Sequence, residues 1–315
     1  MTEERGAVLY CCGGLHFLRG EFHLARDCLT ESVAVWEDLK SDRRLGYALV
    51  ILGMVALYQN RPREALWHER RAVALFEETG DRWGLALARH DLAIVLMTQD
   101  HPRSTKAKSF LLQSKTLWQE LENDWGLGLV ANSLGRMAYQ DGHTAEANQY
   151  LLEAVTIQKQ GRYRWGHAHS IAWLGRVMLA QGNYSEANSR YYESLVLHLQ
   201  LGRRQMVAEC MDGLAEIAFH ANRLDIAAEL LGAADGIRRR GGEELPPTAA
   251  RIHADVGTRV REAFGTEAFT HAHVRGAGLE FGEAARRALQ IAIELVDAEL
   301  PEAREAVEEA EEQAG

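Results

Sequence analysis

The chain has 315 residues, of which 47% are hydrophobic and 25% charged, with a formal net charge of −10. That composition belongs to a folded globular protein and excludes disorder of the whole chain. No apolar run approaches the ~20 residues that span a bilayer, so no membrane partner is expected, and no basic excess exists to displace counterions from a nucleic acid.

The first residues, MTEERGAVLY, carry acids where a signal peptide needs base, so a cytoplasmic location is expected. Six segments then align on Gly13, Gly53, Ala93, Gly135, Gly175 and Ala215, at steps of 40, 40, 42, 40 and 40. Twelve residues after each, a second small residue recurs as Ala25, Ala65, Ala147, Ala187 and Ala227. In the third copy it is Ala107, two residues late, which places an insertion inside TQDHPRSTKA. Turn sequences such as LRGEF, YQNRP and AQGNY separate the two anchors, and TGDRWG, ENDWG and GRYRWG separate the copies.

Each copy therefore reads helix–turn–helix. Ile171, Leu174, Gly175 and Met178, or Leu49, Leu52, Gly53 and Ala56, follow the i, i+3, i+4, i+7 spacing of one helical face. A glycine inside a helix costs roughly 1 kcal/mol against alanine, so its recurrence at one register predicts close approach of the paired helix. Arg89 holds an apolar stripe position, and Glu69 stands where Leu111, Leu151 and Leu231 occur, which predicts local solvent exposure in repeat two. Trp83, Trp125 and Trp165 share one register and are expected to pack between repeats. Cys11, Cys12, Cys28 and Cys210 fit no zinc spacing and read as reduced, small core residues.

After the sixth repeat the period stops. Pro246 and Pro247 open a helix to about Phe264. TEAFTHAHV and EAARRALQIAIELVDAEL follow, the latter with Leu289, Ile293 and Val296 on one face. These helices are expected to cap the last repeat. From Glu280 to Gly315 eleven acids face three arginines, so −8 of the −10 resides there. The expected organisation is six repeats over 1–244, capping helices over 245–300 and an acidic tail over 301–315. That tail reads as a solvated helix, or else as a docking peptide for a basic partner.

The pattern LGxxAxxxGxxxEA, as in LGRMAYQDGHTAEA and LGRVMLAQGNYSEA, resembles the tetratricopeptide repeat in a variant longer than its usual 34 residues. The resemblance covers about Gly6 to Glu244 and implies an all-α, right-handed helical-repeat solenoid. The RWG/DWG linkers and the ending AAELLGAADGIRRRGGEELPP are similar to the C-terminal repeat arrays of bacterial STAND-type transcriptional regulators, of the maltose-activator and antibiotic-regulator kind. Those regulators also carry GxxxxGK[ST], which does not occur in these 315 residues.

No HExxH, GxSxG or Walker loop occurs, and the GxGxxA-like Gly126–Ala131 falls within a repeat helix. The pairs His167/His169 and His271/His273 lie two residues apart, about 200° around a helix, so neither pair can chelate one ion. No catalytic residue, cofactor or metal site is expected, and the chain reads as a non-enzyme.

In tetratricopeptide arrays the face of each first helix at positions −6, −3, +1, +4 and +5 from the anchor lines the concave surface, and the resemblance implies the same here. That face holds Tyr47 and Tyr58, then His90, Asn132, Arg136, Tyr139, His169 and Arg176, then Glu209, Asp212 and Glu216. The groove thus runs from aromatic through basic to acidic. Arg136 and Arg176 occupy the same position in adjacent repeats and could grip one carboxylate or phosphate; an internal Arg176–Glu216 pair is the competing assignment. The expected function is recognition of a peptide, protein segment or small effector in bacterial signalling or transcription control. A passive scaffold using the convex face and tail, and a peptide-pheromone sensor, are the alternatives. The oligomeric state is left open.

Overall fold

The computed structural model describes residues 2–98, 104–241, 245 and 247–296, and within them the chain is fifteen α-helices with no strand. The turn of the third repeat and the acidic segment 301–315 lie outside these residues. Repeats one to three are α1 (Glu3–Arg19) with α2 (Phe22–Asp38), α3 (Asp42–Tyr58) with α4 (Pro62–Thr79), and α5 (Arg82–Met97) with α6 (Ser104–Glu120). Repeats four to six are α7 (Asp124–Gln140) with α8 (Thr144–Gln160), α9 (Arg164–Ala180) with α10 (Tyr184–Gln200), and α11 (Arg204–His220) with α12 (Leu224–Gly241). Then come α13 (Pro247–Phe264), α14 (Thr266–Ala277) and α15 (Phe281–Glu294).

Left-handed residues end the helices at Gly20, Lys40, Asn60 and Gly80, and again at Glu122, Gly142, Arg162, Gly182, Gly202 and Asn222. On either side of the third-repeat insertion they fall every twenty residues, so the forty-residue period is two nearly equal helical turns of the array. A left-handed residue reverses the chain while its neighbours close the helix end. Two of the linkers also carry an N-cap: the side chains of Asp81 and Asn123 accept from the backbone N–H of Gly84 and Gly126, each at 2.9 Å.

The recurrent small residue at the anchor receives a side chain from the second helix of its own repeat. A Cβ on Gly13 would lie 2.5 Å from Leu29 Cγ, and one on Gly135 would lie 2.6 Å from Leu151 Cγ. Each of those fully buried leucines contributes roughly 1.5–3 kcal/mol by removal from water. In repeat two the inserted side chain is Glu69, which the sequence pattern placed in solvent. It is instead fully buried against Gly53, and neither carboxyl oxygen has a hydrogen-bond partner. Burial pushes that carboxyl well above the usual range, so it is neutral. Arg89, the other departure, is held by Glu77 at 2.9 Å.

The tryptophan register also splits. Trp83 and Trp125 stack 5.6 Å apart with Trp118 edge-on to both, as interrepeat packing requires. Trp165 is partly exposed and stacks on His169 instead. Among the cysteines only Cys210 is buried, whereas Cys11 is exposed and Cys12 and Cys28 are half-buried.

Beyond α12 the packing is unlike that of a seventh repeat. Helix α14 lies against α12 through Gly232, Gly236 and Gly276, whose Cβ positions would strike backbone atoms of the facing helix. Helix α15 covers α10 to α12 with Ala284, Ala288, Ile291 and Leu295, and Asn188 Nδ2 donates to the Ala292 carbonyl at 2.8 Å. The expected face of Leu289, Ile293 and Val296 is therefore corrected: Ile293 and Val296 are exposed and Leu289 is only half-buried. The buried face is instead the one that carries Ala284, Ala288, Ile291 and Leu295. Helix α13 runs along α11 on the concave side, tied by His253 to Asp212 and by Arg259 to Glu216. Finally, Arg203, in the turn before α11, donates to the carbonyl of Leu18 at the end of α1. The array thus curls until its last repeat touches its first.

Candidate functional site

The curl and α13 together line a partly open cavity of about 120 Å³ on the concave side. First helices of the repeats supply Tyr58, Met97, Arg136, His169, Trp173 and Arg176, while α11 supplies Met206, Glu209 and Asp212. Helix α13 borders it with Ala249 and Ile252. Of the eleven groove residues expected from the sequence, the fold brings six to this space: Tyr58, Arg136, His169, Arg176, Glu209 and Asp212.

The other five serve the array itself. Tyr47 donates its hydroxyl to Asp81 at 2.9 Å, and burial with that bond pushes it up to about 12. His90 is buried and bonded at both ring nitrogens, to Asp91 at 2.7 Å and Ser133 at 2.9 Å. Asn132 begins a buried relay, donating to Ser170 Oγ at 2.8 Å, which donates to Gln158 Oε1 at 2.8 Å. Tyr139 packs edge-on to Trp173. Glu216 accepts from Arg176 at 3.1 Å and from Arg259 at 2.9 Å.

The two arginines therefore differ. Arg176 is the internally paired residue of the competing assignment, 3.1 Å from Glu216. Arg136 lies with its guanidinium 5.0 Å over the Trp173 ring, its Nε is buried without a partner, and it makes no ion pair among the described residues. Glu209 has no hydrogen bond or ion pair among those residues either, and burial raises its carboxyl above the ordinary range. His169 is stacked on Trp165 with burial and the neighbouring Arg136 holding it well below its usual value, so its ring is neutral.

At the α13 end the charges are fully paired. Asp212 accepts from Arg238, and His253 bridges Asp212 at 2.8 Å and Asp235 at 3.2 Å. Burial opposes a charged imidazole, but these two carboxylates outweigh it and hold His253 up to about 9. Trp173, Met206 and the α13 residues were not singled out from the sequence. Trp173 lies two residues before its anchor, on the face that meets the preceding repeat, and α13 has no place in the repeat register.

Two tetratricopeptide-repeat family models match the chain, over residues 4–78 and 129–160. Those two stretches match tetratricopeptide repeats, and the fold as a whole is a tetratricopeptide-like helical-repeat solenoid. Among solved structures it is similar to a Rap protein in complex with Competence and Sporulation Factor, at 14% identity and a TM-score of 0.69 over 94% of this chain and 77% of that one. It is also similar to the apo form of RapI, at 14% identity and a TM-score of 0.57, covering 90% of this chain and 98% of that one. A third similar structure is a STAND-type signal-transduction ATPase with a tetratricopeptide-repeat sensor from Pyrococcus horikoshii, at 14% identity and a TM-score of 0.55. That match covers 92% of this chain but only 45% of the ATPase. No curated protein sequence matches the chain. Among the described residues no helix is long and apolar enough to cross a membrane.

Proposed function

We propose that this chain is a non-catalytic sensor module whose concave cavity binds an effector through Arg136. The observation that carries the reading is a half-buried guanidinium on an aromatic shelf, with its buried Nε unpaired and no ion pair among the described residues, lining a cavity built by most of the repeats. A buried cation normally has a carboxylate partner, because desolvating it alone is costly. Here the neighbouring arginines have theirs and Arg136 does not. An anionic group arriving with the ligand would complete the pairing, and would bind repeats two to six and α13 into one closed unit. Such binding shifts a population between closed and open arrays in proportion to its differential affinity.

The similar Rap structure holds a bound factor, which supports ligand recognition by an array of this shape. The STAND neighbour supports a place in a signalling or transcription regulator. With α13 in position the cavity admits a small molecule; an extended peptide requires α13 to leave the groove.

The test is thermal unfolding of the chain and of its Arg136→Met variant against pools of tryptic peptides, nucleotides, sugars and amino acids. A ligand of the folded state raises the midpoint, by about 2.7 kcal/mol of added stability at a hundred times its Kd. The expected result is a shift in the parent that is lost in the variant. Equal shifts in both, or none with any pool, overturn the proposal.

A further inference from the structure

Resting on the reading that this cavity is a ligand site, we infer that its ligand is a free α-amino acid with an apolar side chain. The inference comes from the pair of uncompensated groups that face the space. Arg136 on α7 offers a cationic fork, held flat by Trp173 and short of a partner. Glu209 on α11 offers a carboxyl to the same space, also without a partner. They are close enough to influence one another, since each stabilises the charged form of the other, yet they do not pair. Two opposite charges left apart in a desolvated site are satisfied together by a molecule that carries both complementary charges a short distance apart. An α-amino acid does so: its carboxylate takes the Arg136 fork with paired hydrogen bonds, and its ammonium group faces Glu209.

The neutral groups agree with this assignment. Tyr58 has a hydroxyl at the arginine end with no hydrogen bond among the described residues, and burial keeps it a phenol able to donate to a carboxylate. Met97, Trp173, Met206 and Ile252 give the wall an apolar part that suits a hydrocarbon or aromatic side chain, beside the polar Thr98, Gln140 and His169 and the internally paired Arg176 and Asp212. A simple anion such as phosphate would leave Glu209 facing a second negative charge.

The experiment is calorimetric titration of the whole chain with each of the twenty protein L-amino acids. It is repeated for the best binder with its N-acetyl derivative, which lacks the ammonium charge, and its methyl ester, which lacks the carboxylate. At least one of phenylalanine, methionine or leucine binds, and each blocked form binds at least tenfold more weakly. Arg136→Met removes the preference for the free acid over the ester, and Glu209→Gln removes the preference for the free amine over the acetylated form. Circular dichroism checks that both variants stay folded. If none of the twenty binds, or if the blocked forms bind as tightly as the parent, the inference fails. A peptide or sugar that stabilises the parent but not Arg136→Met, with all amino acids silent, removes this inference and leaves the sensor reading standing. Silence from every pool removes both.

Discussion

Glu69 and Arg136 both hold buried polar atoms without partners, yet only one of the two residues faces a space. Glu69 fills a leucine position against Gly53, surrounded by protein, and remains neutral. Replacing it with leucine, the residue its repeat neighbours carry, should stabilise the fold by about 1–3 kcal/mol in urea denaturation. The pH dependence has a definite sign. A carboxyl raised in the folded state binds its proton more tightly there than in the unfolded chain, so its contribution is most favourable below the ordinary carboxyl range. That contribution is lost as the pH rises through the folded value. Glu69→Leu should therefore gain most over the parent at neutral pH and least near pH 4. The burial of Glu69 was not legible in the sequence, because a glutamate at an apolar register is ordinarily a sign of exposure. The Arg176–Glu216 pair was legible only as one of two assignments, and the seat of Arg136 over Trp173 was not legible at all, because Trp173 lies outside the groove register.

The repeat helices were the legible part of the fold: the small anchors, the twenty-residue rhythm and the insertion in repeat three all follow from spacing, because each helix packs on its sequence neighbour. The elements after α12 were not, since their contacts break that order. Helix α14 rests on α12 through paired glycines, where a Cβ on Gly236 would lie 2.6 Å from the Ala277 carbonyl oxygen. Gly236→Ala should cost about 2–3 kcal/mol through displaced backbone. Gly257→Ala, on α13 with open space around it, should add roughly 0.5–1 kcal/mol. Thermal melts of the two variants against the parent decide this, and a neutral Gly236→Ala would mean that the helices stand farther apart.

Helix α13 is held by the buried Val256 and Val260 and by ion pairs, and the electrostatic part titrates. His253 is raised to about 9, so its support is complete below about 6.5, the ordinary imidazole value, and is lost as the pH climbs through 9. Urea stability followed from pH 6 to 10 should fall about 1–3 kcal/mol further in the parent than in His253→Gln. A fall of equal size in both would show that His253 does not carry the attachment.

At the scale of the molecule, Arg203 joins the turn before α11 to the end of α1, beside the Phe22–Tyr58 stack at 5.0 Å. Arg203 also lies over Trp165, which stacks on His169 at the cavity. Arg203→Ala should relax the curl, seen as a larger radius of gyration in small-angle X-ray scattering. An amino-acid ligand should shift the parent the opposite way. An unchanged radius would mean that packing alone sets the curvature.

An open repeat array behaves as a one-dimensional chain of coupled units, and it frays from whichever end is weaker. Joining residues 18 and 203 gives this array a contact 185 positions apart in sequence, which turns the line into a loop. A loop has no weak end, so unzipping must first break the closure, and the repeats then lose their order together. Such a protein should melt more sharply than its repeat count suggests, and should fold more slowly than a linear array of equal length, because that one distant contact carries the entropy of closing a loop of 185 residues.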